Sequence, residues 1–600
     1  MPDTATHNDT QTAKTSIAVL PFVNMSNDIE NEYFSDGITE EIINALTKIN
    51  GLKVIARTSS FALKGKNIDV REIGKQLGVV TILEGSVRKS VNKVRITAQL
   101  IDTVDGTHFW SKNFDSQLND IFELQDEVSL LIANEIRNNF GYFEIQEHLV
   151  KNSTTNVDAY ELFLKGRSLQ LQWTPESLKK AITYYDNAIS KDINYAKAYY
   201  ANLQCYGLLV TWGYMPQEEG MEKAITNFLK AKALDTQLPE YPLSFVGRSF
   251  WGEWDFKSAY HYINEVLAIN PNHIDGLEAM AELFLAHGFF KEALVYADKL
   301  LEVDPLSANN HYTYANIHYY KRDFETALHH ISRAINLRPD FDLAYHKKAL
   351  CLISLNRKEE LTNTFKNNPL WEKIHLLFDC VNSGRNELPQ DVLASFTDKP
   401  LERNQITLFE LFILANTRYT ALAFDILRSY IDQKRGQILN YKFEPLLKPL
   451  QTNKEFFTLN VSNLSYDDIT LPVSGKETSK VILNEQEQSQ LKEELLSYFD
   501  HDKPFLDPQL SLNTVAEALH TSPNKLSYLI NEVMGMNFNE FVNKKRLTHF
   551  KSIALLPENE NITLLGLAYD SGFNSKSVFN NFFKKNEKTT PSSWLKANKR

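Results

Sequence analysis

Between residues 247 and 341 the same residue types return at one interval. Pro271, Pro305 and Pro339 lie 34 residues apart, as do Ala259, Ala293 and Ala327, and as do Phe256, Phe290 and Phe324. A period of this length, with small and aromatic residues at fixed offsets, describes a helix pair that cannot bury its apolar stripe alone and so stacks on the next copy. Gly247, Ala281 and Ala315 recur at that interval too, where close helix approach is expected. Upstream, Ala181 with Ala188 and Ala224 with Ala231 repeat the seven-residue spacing of Ala327 with Ala334. We therefore expect about five helix pairs over residues 156–341. Irregular helical sequence follows over 342–460, then an exposed linker over 461–484, where VSNLSYDDITLPVSGKETSK has the composition of a loop.

These positions resemble the tetratricopeptide repeat, and the resemblance implies a solenoid whose concave surface comes from the first helix of each pair. Carried over position by position, it assigns Tyr241, Arg248, Trp251, Glu278, Glu282, Tyr312, Asn316 and Tyr319 to that surface. Aromatic and charged side chains there suit a peptide or protein ligand. The alternative is that the same residues cover the interior of the array or pack on a neighbouring domain. His311, His318, His329, His330 and His346 show no metal-ligand spacing. Cys205, Cys351 and Cys380 are odd in number and far apart, which favours buried thiols in a reducing compartment. No metal and no cofactor is expected.

Charge separates the end of the chain from the rest. Residues 521–600 hold twelve Lys and Arg against six Asp and Glu, a balance of +6 that leaves −17 for residues 1–520 out of −11 overall. A basic patch alone describes many solvated faces, so the pattern within it decides. In the run after Ser571-Gly572-Phe573, a period of 3.6 places Val578, Phe579, Phe582 and Phe583 on one side. Lys576, Ser577, Asn580, Asn581 and Lys584 form a separate polar stripe. Before the turn, Leu564, Leu567 and Ala568 supply a second apolar stripe, and Gly572 sits where two helices joined tightly require positive φ.

That helix-turn-helix outline has an upstream copy in LSLNTVAEALHTSPNKLSYLINEVMG, residues 510–535. Ser522-Pro523 is a cap followed by a first-turn proline; Leu526, Leu529, Ile530 and Val533 face inward, and Asn524, Lys525, Ser527, Tyr528 and Asn531 face outward. Residues 537–555 between the copies read as one helix about 27 Å long at about 1.5 Å per residue. Such a strut can set two reading helices in successive major grooves about 34 Å apart.

The run from about 485 to 597 resembles the AraC-type DNA-binding domain, notably in SPNKLSYLINEVMGMNFNEFVNKKRL and in GFNSKSVFNNFFKK followed by Thr590-Pro591. The resemblance implies that the second helix of each unit enters the major groove of double-stranded DNA. It assigns Asn524, Lys525, Ser527 and Tyr528 to one groove and Lys576, Ser577, Asn580 and Asn581 to the other, with Lys584 and Lys585 reaching phosphate. Asn suits adenine and Lys guanine. The chain departs from the family in having Lys588 where a glycine is usual and Trp594 where a basic residue is common.

The first 140 residues alternate strand and helix patterns. SIAVLPF and LKVIART read as strands, ENEYFSDGITEEIINALTKI and DVREIGKQLG as helices, VTILEGSVRKSVNKVRITAQLID as a hairpin, and 121–138 as a closing helix. Ser35, Asp36 and Glu40 read as capping groups. IAVLPFVNMSND, YFSDGITEEI, RTSSFALKGK, LEGSVRK and RITAQLIDTVDGTHFWS together resemble the TolB-like amino-terminal domain, which implies a regulatory or assembly module.

The expected fold is multidomain: an α/β domain over 16–140, an all-α tetratricopeptide-type solenoid over 156–341 with its extension, and an all-α double helix-turn-helix domain over 485–600. No apolar run reaches the ~18 residues of a membrane span. The opening MPDTATHNDTQTAKT is polar, so a cytoplasmic protein without membrane contact is expected. No P-loop, Gly-x-Ser-x-Gly or zinc-protease motif is present, and no enzyme is expected. The expected function is that of a bacterial sequence-specific transcription regulator, with a homodimer admitted, whose repeat and TolB-like domains sense a ligand or partner. The alternative is a scaffold built on the repeats.

Overall fold

Strand β5, Lys93–Asp102, carries its apolar residues alternately, and Val94, Ile96, Ala98 and Leu100 are all buried on one face. The computed structural model describes residues 15–150, 153–172, 174–211, 214–397, 407–459, 462–469 and 482–598. The polar opening and most of the expected linker lie outside the described residues. The other strands are β1 (Ser16–Val19), β2 (Val23–Asn24), β3 (Lys53–Val54), β4 (Thr81–Lys89) and β6 (His108–Gln117). They form one sheet in the order β3-β1-β4-β5-β6, with β2 also beside β4. Pairings of β1 with β3 and β4, and of β2 with β4, are parallel; β4, β5 and β6 form an antiparallel meander. The expected strand LKVIART shrinks to two residues, because Arg57 already opens the helix Arg57–Phe61.

Helices Glu32–Leu46 and Ile121–Phe140 cover the sheet. Ser35, Asp36 and Glu40 lie inside the first of these, not at its start, and therefore do not cap it. Asp36 pairs with Lys64, and Glu40 holds Arg57 and Arg167.

The repeats are five helix pairs: Val157–Gln170 with Pro175–Lys191, Ala196–Thr211 with Gln217–Leu234, Glu240–Glu253 with Phe256–Ile269, Ile274–Ala286 with Phe290–Val303, and Ala308–Tyr320 with Phe324–Leu337. Asp255 and Asp323, 68 residues apart, each cap a second helix by accepting a backbone N–H. The repeated alanines Ala259, Ala293 and Ala327 are fully buried, as are Ala281 and Ala315. Gly247 departs from the expectation: a Cβ there would meet nothing within 4 Å, and the segment Gly247–Glu253 widens into a π-type turn. A sixth pair, Asp342–Ser354 and Lys358–Phe365, continues the stack.

The first pair and the sheet share one apolar core, which runs without a break from Ile17 to Ala224. Gly37 is required at the contact, since a Cβ would lie 2.7 Å from the side chain of Leu164. The Glu40 carboxylate sits between Arg167 Nε at 3.0 Å and Arg57 Nε at 3.1 Å, and Lys197 reaches Glu41 at 3.1 Å. Farther along the array, Ala56 N–H donates to the Val303 carbonyl at 2.7 Å, and Ser59 N–H donates to Asp304 at 2.9 Å.

Beyond the repeats the chain turns back along them. Phe443 packs on Phe290, and Tyr319 Oη donates to Glu444 at 2.6 Å. The start of the expected exposed linker is instead strapped to the array. Asn463 Nδ2 donates to Asp255 at 2.7 Å, Tyr466 Oη donates to Glu292 at 2.8 Å, and Lys257 pairs with Asp468 at 2.8 Å.

Burial alone would raise the Glu40 pKa, but Arg167 and Arg57 overcome it and hold the carboxyl below its ordinary value of 4.5. A folded pKa below the unfolded one stabilises the protein above the unfolded value and loses that contribution as pH falls through the folded one. Glu40→Ala is expected to cost about 1 to 3 kcal/mol at neutral pH by leaving two partly exposed guanidiniums unpaired. Thermal unfolding should show that loss, and it should shrink on acidification below the ordinary carboxylate range.

Candidate functional site

The carboxy-terminal residues build two small cores joined by one helix. In the first, Ser522 accepts from the Lys525 N–H and Pro523 opens the helix Pro523–Tyr528, continued by a π-type turn Leu529–Val533; Leu526, Leu529 and Ile530 are buried with Phe499 and Phe541, while Val533, expected to face inward, is exposed. In the second, Ser575 accepts from the Val578 N–H and starts the helix Lys576–Glu587. Its inner face is aromatic: Phe579 and Phe583 pack on Phe550 at 4.7 and 5.8 Å, and Trp594 closes on Phe583 at 5.9 Å. Phe538–Ala554 is the strut between them, as the pattern implied.

Gly572 turns the second unit at φ +90°, and a Cβ there would strike the Phe505 carbonyl at 2.1 Å. Lys588 takes φ +57° where the resembled family favours glycine, and ends the helix in the left-handed region. Trp594 is core rather than a basic contact, with the Lys551 ammonium 5.3 Å above its ring. Val578 departs from the expected apolar face: it is 38% exposed, one position off the stripe set by Phe579 and Phe583.

The two polar faces have different surroundings. Lys576, Ser577, Asn581, Lys584 and Lys585 are exposed and Asn580 is partly so, all beside one another on the outer side of their helix. The matching face of the first unit is covered. Asn524 Oδ1 accepts from Arg137 Nη1 and from the Ile145 N–H at 3.4 Å, while its Nδ2 donates to the Ile145 carbonyl at 3.1 Å. Tyr528 is 7% exposed and lies edge-on to Tyr142, with ring centroids 5.6 Å apart. Ser527 is 2% exposed. Lys525 stays partly exposed with Glu487 at 3.6 Å. Asn537 and Asn539 continue the seam, donating to the backbone and side-chain oxygens of Asn139 at 2.7 and 2.8 Å.

Thus Asn524 and Tyr528, expected to face outward and free, face Arg137, Ile145 and Tyr142 of the amino-terminal unit instead, and Ser527 is buried with its hydroxyl accepting from Asn531 Nδ2 at 3.2 Å. Arg137, Asn139, Tyr142 and Ile145 are the residues that sequence reasoning missed. The available signal was Tyr528 itself, a large ring on a face otherwise made of Asn524, Lys525, Ser527 and Asn531.

The expected groove residues also divide. Trp251, Glu278, Glu282, Tyr312 and Asn316 gather into one cluster. Thr313 Oγ1 donates to Glu278 at 3.3 Å, Trp251 lies beside Glu282, and Tyr312 lies beside Asn316. Burial pushes both carboxyls above their ordinary range, and Glu282 beside Glu278 pushes the latter further. Trp251 is 40% exposed at the rim. Tyr319 does not join this surface; it is fully buried beneath Glu444, with the Lys347 ammonium 4.2 Å from its ring centre. Tyr241 stacks on Phe228 in a side cluster, and exposed Arg248 pairs with Glu253 at 2.7 Å. Among the described residues no group of three His, Cys, Asp or Glu is placed to hold a metal ion, and no helix is long and apolar enough to cross a membrane.

Comparison with known proteins follows the same division. A sequence model described as a helix-turn-helix domain matches residues 515–597, and one for subunit 3 of the anaphase-promoting complex (cyclosome) matches 286–367. Residues 13–131 match the second domain of HilA/YgeH-like transcriptional regulators, a description other than the TolB-like one expected. The chain is similar to "Putative adenylate cyclase 3" of Rhizobium meliloti, 45% identical over 187 residues, which cover 31% of this chain and 32% of that protein. It is similar to the uncharacterized HTH-type transcriptional regulator YijO of Escherichia coli, 32% identical over 85 residues, 14% of this chain and 29% of that one. Similarity to the transcriptional regulator HilA of Salmonella typhimurium extends over 330 residues at 21% identity, 52% of this chain and 55% of HilA. The chain therefore spans between about a third and about half the length of these three relatives.

Proposed function

We propose that this chain is a cytoplasmic, sequence-specific DNA-binding transcription regulator in which the repeat array and the amino-terminal α/β unit respond to a peptide or protein partner. The observation that carries the reading is the outer face of Lys576–Glu587, where Lys576, Ser577, Asn580 and Asn581 stand clear of an aromatic core beside Lys584 and Lys585. Side-chain amides and ammonium groups at that spacing reach base edges, and the flanking lysines reach phosphate. The similarity to helix-turn-helix regulators supports the same reading. Its role is binding rather than catalysis; cyclic product from nucleoside triphosphates would overturn that part. Recovery of DNA bound to the tagged protein across its genome is the direct test, and an enriched shared motif is the expected result.

The cluster of Trp251, Glu278, Glu282, Tyr312 and Asn316 supports the partner-binding part. A rim tryptophan above two half-hidden carboxyl groups, which a bound cation would favour in their ionised form, fits a peptide side chain that is flat, cationic or both. Trp251→Ala combined with Tyr312→Ala should abolish the response to the signal in cells and leave binding to DNA intact. A response equal to the parent's would remove the cluster from the mechanism.

Neighbouring residues of the free reading helix should fail differently. Asn580→Ala should leave the protein folded and cost about 1 to 3 kcal/mol at one base position, relaxing specificity there. Phe579→Ala removes a ring packed on Phe550, Phe573 and Phe583 and should cost about 3 to 5 kcal/mol of stability. Fluorescence-anisotropy binding to singly substituted sites at fixed salt measures the first effect, and thermal unfolding the second. Equal binding of Asn580→Ala to every site would take this residue out of the groove.

A further inference from the structure

Both ends of the Asn524 carboxamide are engaged by one residue of the amino-terminal unit. The Ile145 N–H faces Oδ1 and the Ile145 carbonyl faces Nδ2, at 3.4 and 3.1 Å. A donor and an acceptor side by side are what adenine offers asparagine in the major groove, through its N6 amino group and N7. We propose that residues 137–145 are a protein substitute for DNA on the first reading helix, so that the closed chain engages DNA through its second helix-turn-helix alone. This deepens the DNA-binding reading above and rests on it.

The contact covers the face that reading requires. Tyr528 is 7% exposed, whereas on the second unit Asn581 is exposed and Asn580 partly so. Tyr142 occupies the space beside Tyr528, and Asn139 holds Asn537 and Asn539 next to it. A duplex cannot approach this helix while the seam is made, so the two states exclude each other.

The seam is also built to open. Arg137 is 2% exposed, and its guanidinium donates to the amide oxygens of Asn524 and Asn134 at its two terminal nitrogens, with no carboxylate paired to it among the described residues. A buried cation held by neutral acceptors is poorly compensated for its lost hydration. When the first unit leaves, Arg137 regains water and Asn524 is released to bases. A ligand that favours the open arrangement then raises apparent DNA affinity by increasing the binding-competent fraction.

The test uses the full chain as wild type, as Arg137→Ala, and as Asn139→Ala with Tyr142→Ala; the second variant keeps the buried arginine should the first disturb folding. Hydrogen exchange at the amides of residues 523–533, without DNA, reads the seam directly and should quicken in the variants. Selection from a pool of randomised duplexes reads its consequence. Wild type should enrich a single half-site; the variants should enrich two half-sites one helical turn apart and bind that longer site about tenfold more tightly than wild type. Unchanged exchange in both variants would overturn the proposal, as would a two-part motif bound equally by all three proteins. Should exchange respond while no protein enriches any sequence, the DNA-binding reading fails and takes this proposal with it.

Discussion

A single carboxylate lies where the sheet meets the repeats. Glu40 leaves water to stand between Arg57, from the amino-terminal unit, and Arg167, from the first helix pair. Three charges partly withdrawn from water hold best in one geometry, because losing a contact leaves a charge that is only partly hydrated. The apolar core closes around that geometry from Ile17 to Ala224, and the bonds from Ala56 and Ser59 to Val303 and Asp304 anchor the same unit to a later repeat. Fixed at two places on the array, helix Ile121–Phe140 then presents Arg137 and Asn139 from one defined position. The covering of the first reading helix depends on that chain of placements.

The array consequently behaves less like an open groove than its repeats imply. Its early helices carry the α/β unit, and the returning segment takes Tyr319 through Glu444. What stays available is the cluster at Trp251, where two carboxylates share little solvent. Solenoids gain binding surface by stacking units that each touch only their neighbours. Here much of that surface is spent within the chain, which makes the sheet, the array and the reading domain respond together to whatever shifts one of them.

The parts legible in the sequence were those set by local periodicity. Phe579 and Phe583, four residues apart, mark a buried helical stripe, and Ala259, Ala293 and Ala327 mark a stacked one. Gly572 was readable because a tight turn between two helices calls for positive φ, and it takes φ +90°. Strand β6 was missed: of its ten residues only Phe114 is buried, so no alternation reveals it. The strap at 462–469 has loop composition, and its partners at 255, 257, 287 and 292 lie more than 170 residues away. Arg137 and Asn524 are 387 residues apart, and each has an ordinary local reading, a helix residue in one case and an expected base contact in the other. No short-range pattern announces such a pair.

The strap carries one more consequence, for how strong the seam has to be. Ile469 is tied near the array and Asn484 caps the first helix of the reading domain, leaving 14 residues between them. Fourteen residues reach at most about 50 Å, so the reading domain never diffuses far from its cover. A bound on that span limits the volume the domain can sample and so raises the effective concentration at which it meets its cover. A pairwise affinity too weak to detect between separate molecules is then sufficient to keep the chain mostly closed, and a modest competitor sufficient to open it.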